Sequence, residues 1–135
     1  MTSTEKLQYI SKILSEERYT EIEKLSAIKG FFFPAYTKGR IEKYSLSEIT
    51  QQIEDHTGIT LEKITNLKRA DFDVVTARQM AHYKAIKFTK LPLALIGYHF
   101  GEKDHTTVLH SNKYIKGLLE VDKVFRKEHG DFLNS

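Results

Sequence analysis

The stretch that most limits what this chain can become runs from Leu91 to Lys116. Pro92 fits the first turn of a helix, where its missing N–H costs nothing. Leu93, Ile96 and Gly97 then share one helical face. Gly101 is a natural stop that permits positive φ. Asp104 is a strong N-cap for a following helix, accepting from an amide two or three residues on. Val108, Leu109, Ile115 and Leu118 or Leu119 supply that second helix with a buried stripe. Two helices joined by a tight glycine-containing turn form a helix-turn-helix. The second helix of such a pair carries the reading residues.

Asp104, His105, Thr106 and Thr107 fill the leading turn of that helix, the end that faces base edges in the major groove. Aspartate accepts from cytosine N4, threonine offers a hydroxyl and a methyl, and histidine donates or accepts. A plainer reading stands beside this one: Asp104 only caps, and the threonines only start a helix.

Charge is distributed to match the first reading. The chain of 135 residues has a net charge of only +3. Residues 44–77 carry 3 basic and 6 acidic side chains, whereas 78–116 carry 7 basic and 2 acidic. A positive excess on the reading module favours phosphate binding through counterion release. A solvated basic face is the alternative.

Several sequence details carry a resemblance. Ile96-Gly97, Phe100-Gly101, the block Asp104-His105-Thr106-Thr107-Val108-Leu109-His110 and the upstream Ala77-Arg78-Gln79-Met80-Ala81 are similar to the C-terminal DNA-binding domain of the bacterial DnaA family. The likeness covers roughly 45–119. It implies double-stranded DNA as partner at DnaA-box-like sites, in replication initiation or its regulation. It also implies that Arg78, Gln79, Lys103, His110 and Lys113 hold phosphates, with Arg78 and Gln79 at a helix N-terminus where free N–H groups favour an anion. The family's basic loop falls on 66–73. There Lys68 and Arg69 are the minor-groove candidates, Ala70 stands near the expected inserting arginine, and Asp71 and Asp73 would repel phosphates. Lys103 replaces a usual arginine and keeps charge without the guanidinium fork. Glu102 stands where glycine is common.

The expected fold class is all-α: a multi-helix domain over 44–135 containing the helix-turn-helix, with an N-terminal helical extension and linker over 1–43. In the extension, Leu7, Ile10 and Leu14 follow helical spacing, and Thr20 to Glu23 fits a capping box. Phe31-Phe32-Phe33 reads either as core and junction packing or as a protein-partner or self-association contact. Lys38, Arg40 and Lys43 read as solvated linker charges, or as phosphate contacts. Ser45 to Glu48 is a second capping box opening a helix to about His56, and Thr60 caps a short one to Leu67. A third box, Thr76 to Gln79, opens a helix to about Thr89 with an Ala81, Ala85, Phe88 stripe. Met80 and Ile86 stand at its edge, and Lys84, Lys87 and Lys90 read as solvated, with DNA contact the alternative for Lys90 beside the helix-turn-helix. A last helix spans Val121 to Glu128, ends at Gly130, and turns Val124 and Phe125 inward. Asp131 to Ser135 frays.

Other functions find little support. His105 and His110 are five apart, not the three or four that two ligands on one helical face require, so no metal is expected. No glycine-rich phosphate loop ending in Lys-Ser/Thr occurs, so neither ATPase activity nor any other cofactor-dependent catalysis is expected. The chain is therefore not expected to be a complete initiator. No apolar run approaches the ~20 residues that span a bilayer, and no signal peptide is visible. The expected location is the cytoplasm of a bacterium or in a phage context, near the nucleoid. The competing readings are a protein-interaction module that retains the fold and a mobile-element transcriptional regulator.

Overall fold

The computed structural model of the chain describes residues 39–66, 71–101 and 104–135, together with 4, 7, 8, 11, 14 and 15. Regular structure among the described residues is entirely helical. Among the described residues from 39 on, six helices follow one another: α1 (Leu46–Thr57), α2 (Leu61–Thr65), α3 (Phe72–Phe88), α4 (Leu93–His99), α5 (His105–Val121) and α6 (Lys123–Leu133). The described positions between 4 and 15 are helical too, whereas 39–43 are not. The expected helix start at Thr20 and the Phe31–Phe33 run lie outside the described residues.

Local chemistry sets most helix ends. Ser45 and Glu48 form a reciprocal capping box at the head of α1, which satisfies two otherwise orphaned N–H groups. Leu46, Ile49 and Ile53 then point inward, each fully buried. Gly58 stops the helix at φ 73°, and its N–H returns to the Glu54 carbonyl at 2.8 Å. Glu54 also accepts from the Leu61 amide at 2.8 Å, tying α2 to α1. Thr60 caps α2 through the Lys63 amide.

α3 begins a turn earlier than the sequence suggested. Thr76 lies inside the helix, where its hydroxyl donates back to the Phe72 carbonyl at 2.9 Å. A threonine can satisfy its hydroxyl this way in a helix interior as well as at a cap, so the Thr76 to Gln79 box is not used. Asp71 and Asp73 instead place negative charge at the positive end of the helix.

α3 is the central post of the domain, packed against α1, α2, α4, α5 and α6. That position explains its weak amphipathicity: a helix covered on most sides needs no polar face. Met80 and Ile86, expected at an edge, are buried. So is Lys84, contrary to the solvated position expected of it. Its ammonium lies 3.8 Å from the centre of the Phe132 ring.

Arg40 is likewise no solvated linker charge. It is buried, and its Nε lies 2.9 Å from the Ile86 carbonyl and 3.0 Å from that of Thr89, with Nη2 2.6 Å from that of Leu91. The last turn of α3 leaves carbonyls without helical partners, and Arg40 answers them. The amides of Ile41, Lys43 and Tyr44 bond the carbonyls of Lys87 and Phe88 alongside.

The C-terminus also departs from expectation. Asp122 ends α5 and caps α6 through the Phe125 amide. α6 continues through Gly130 to Leu133, which is fully buried, and the Tyr44 hydroxyl donates to the Ser135 carbonyl at 2.8 Å. These contacts hold the tail expected to fray. Phe125 is partly buried against the core, as expected, but Val124 points to solvent at 65% exposure.

Candidate nucleic-acid interface

The inner half of the helix-turn-helix is fixed by packing. Leu93, Leu95, Ile96 and Gly97 of α4 are buried, with Pro92 immediately before the helix. Phe100 is fully buried and stacks edge-on against His99 and His82. The His99 ring meets the Thr50 hydroxyl at 2.8 Å, joining α4 to α1. In α5, Val108, Ser111 and Ile115 face inward, and Ser111 meets the buried His82 of α3 at 2.9 Å. This seam sets the rotation of α5 about its axis.

The outer half follows from that rotation. Asp104, His105 and Thr106 are exposed and Thr107 is half-buried. Asp104 accepts from the Thr107 amide at 2.8 Å. That bond, followed by one with the Thr107 side chain, holds its carboxyl below the usual range. Asp104 therefore presents an ionised group that only accepts. Thr106, His110 and Lys113 are exposed and spaced four and three apart, which places them in one row along the helix. The leading turn is neither packed into the core nor screened from solvent.

The turn itself needs a glycine. Gly101 has φ +130°, and a Cβ there would stand 3.2 Å from Arg78 Nε and 3.5 Å from the Ile64 carbonyl. Any side chain meets both backbone strain and a crowded guanidinium.

Arg78 requires a correction. It is only 6% exposed. Its Nε donates to the Ile64 carbonyl at 2.9 Å, and one Nη donates to the same oxygen. Because α3 starts at Phe72, Arg78 and Gln79 stand in its second turn, where amide N–H groups are already bonded within the helix. The free N–H groups invoked for phosphate binding there do not exist. Arg78 is a strut between α3, the end of α2 and the Gly101 turn. Gln79 is half-buried. Lys103, Lys68 and Arg69 lie outside the described residues. Lys90 is exposed, while Lys87 bonds the Asn134 side chain.

Sequence reasoning missed the struts Arg78 and Arg40. The available signal was weak: each is a lone arginine whose acceptors are distant backbone carbonyls. Among the described residues no three His, Asp or Glu side chains converge as a metal site requires, and no helix is long and apolar enough to cross a membrane.

Comparison with known proteins agrees with this geometry. The family described as bacterial dnaA protein helix-turn-helix matches residues 46–115, a span that runs from the head of α1 to the middle of α5. The chromosomal replication initiator protein DnaA of Flavobacterium psychrophilum is 36% identical over 92 residues, 68% of this chain and 19% of the relative. That of Bacteroides thetaiotaomicron is 52% identical over 56 residues, 42% of this chain and 12% of the relative. That of Enterococcus faecalis is 33% identical over 96 residues, 71% of this chain and 21% of the relative. The chain thus spans about a fifth or less of the length of these relatives. With the family match covering more than half of its residues and the helix-turn-helix formed as described, this chain belongs to the bacterial DnaA helix-turn-helix family.

Proposed function

We propose that this chain binds double-stranded DNA sequence-specifically, at DnaA-box-like sites, in replication initiation or its regulation. The observation that carries this reading is the exposed, acid-capped leading turn of α5 on a helix whose opposite face is pinned to α3. The names of the relatives, all chromosomal replication initiators, supply the process.

Mechanistically, α5 enters the major groove end-first. Asp104, His105, Thr106 and Thr107 meet base edges, with the Asp104 carboxylate accepting from cytosine N4 and the Thr106 methyl or hydroxyl meeting its neighbour. His110 and Lys113, in the row behind Thr106, hold phosphates, joined by Lys103 and Gln79. Lys68 and Arg69 approach the adjacent minor groove. The work is binding without ATP hydrolysis by these residues, and it is carried out where the bacterial chromosome lies, in the cytoplasm.

Fluorescence anisotropy on matched and scrambled duplexes at two salt concentrations tests this division. Thr106→Ala should cost about 1–3 kcal/mol on the matched site and relax one position. Lys113→Ala should weaken all sequences alike and flatten the salt slope by roughly one unit. Equal losses for both variants on every duplex would contradict it.

A further inference from the structure

Away from the leading turn of α5, an open groove of about 620 Å³ lies between the end of α1, the start of α3, the later half of α5 and α6. Met80, Leu118 and Phe125 lie along it. Three large apolar side chains at its border face water: Phe72 at 77%, Val124 at 65% and Tyr114 at 47% exposure. A contiguous apolar surface bordered by polar groups marks an interaction site rather than ordinary surface scatter.

Carboxylates predominate on the charged border, where His56, His129 and Tyr114 are the other titratable groups. Asp73, Asp122 and Glu128 line the groove, and among the described residues no lysine or arginine does. Negative charge on the border repels nucleic acid and anionic lipid and attracts a cationic partner. The described residues also offer no sheet edge to which an extended peptide could add a strand. A helical partner satisfies its own backbone and needs only an apolar stripe to lay in the groove.

We propose that this groove docks an amphipathic helix of a protein partner, its apolar stripe flanked by lysine or arginine. Phe72 and Val124 clasp the stripe, and Asp73, Asp122 and Glu128 meet the flanking cations. α5 carries both functions at different places. Thirteen residues of helix separate His105 of the leading turn from Leu118 of the groove, a rise of about 20 Å, and Tyr114 at the groove's near edge stands one turn beyond His110. The inference does not depend on the DNA-binding reading.

The probe is a synthetic helical peptide of about 15 residues, with leucines at i, i+3 and i+7 flanked by lysines. A matched peptide carries glutamates in place of the lysines. Binding to the full chain is followed by two-dimensional amide NMR without DNA. The lysine peptide should bind saturably, shift resonances of α3, α5 and α6 around the groove, and bind at least about tenfold tighter than the glutamate peptide. Phe72→Ser and Val124→Ser should each weaken it by about tenfold; both side chains lie outside the core, and an unchanged spectrum elsewhere shows that the fold is retained. The double variant Asp73→Lys/Glu128→Lys should reverse the preference. Absence of saturable binding, equal binding of both peptides, or affinity unchanged in Phe72→Ser and Val124→Ser would overturn the proposal.

Discussion

Arg78 and Ile64, fourteen residues apart, are joined by a guanidinium that places two N–H donors on one carbonyl oxygen, with Nε at 2.9 Å. The bond bridges the middle helix to the short α2, and the Gly101 turn closes over it. Arg78→Ala leaves that oxygen without these donors, so stability should fall by about 2–3 kcal/mol. Arg78→Lys should recover little, because one ammonium cannot occupy both the Nε and Nη positions. Urea unfolding measures both. Unchanged stability, with a salt slope of DNA binding reduced by one unit, would return Arg78 to phosphate contact.

Lys84 is a buried cation lodged on the Phe132 ring. Loss of water, followed by repulsion from Lys43, pushes its pKa down to about 8. A folded value below the unfolded one means that the unfolded chain holds the proton more tightly. This contribution is therefore complete above the ordinary lysine range and is lost as pH falls through about 8. Stability of the native chain should climb from pH 8 towards pH 10 relative to Lys84→Met. At neutral pH that variant should be neutral or more stable by about 1 kcal/mol, since an apolar chain needs no burial of charge. Parallel pH curves for the two proteins would contradict the assignment.

His56 and His129 clamp α6 to α1. Their facing ring nitrogens are 2.8 Å apart, and His56 stacks flat on Phe132 with centroids 3.9 Å apart. A single proton between the facing nitrogens makes that bond between two neutral rings, and protonation of both rings would place two cations in contact. Desolvation, then His129, then Lys84 hold the His56 pKa below the ordinary histidine value. Asp55 on α1 and Glu128 on α6 stand close by, and Glu128 lies 3.7 Å from the far nitrogen of His129. With the folded value depressed, stability is full above pH 6.5 and declines as pH falls through the folded value. Urea midpoints at pH 7.5 and 5.5 should drop in the native chain and drop less in His56→Gln. An equal drop in both would remove His56 from the cause.

What the sequence revealed is what neighbours within four residues decide. The Ser45 box, the Thr60 and Asp104 caps and the glycine stops at 58 and 101 all stand where their spacing put them. Asp104 at the head of α5 belongs to this group, so the start and the exposed leading turn of that helix were legible. Thr76 shows the limit: the same hydroxyl serves a cap or an interior back-bond, and only the packing of α3 chose. Arg40, Arg78 and Lys84 were misjudged for a different reason. Their partners lie 46 and more, 14, and 48 residues away, and no local pattern marks a cation that will be buried. Gly130 continues a helix that it was expected to end, because Leu133 beyond it has a core site to fill.

Whether the leading turn of α5 reads base pairs is decided by selecting bound duplexes from a random pool with the full chain. A defined sequence should be enriched, with Thr106→Ala losing information at one position and Lys113→Ala keeping the same sequence at lower yield. A selected pool no different from its input, or one unaltered by Thr106→Ala, would contradict base reading by this turn.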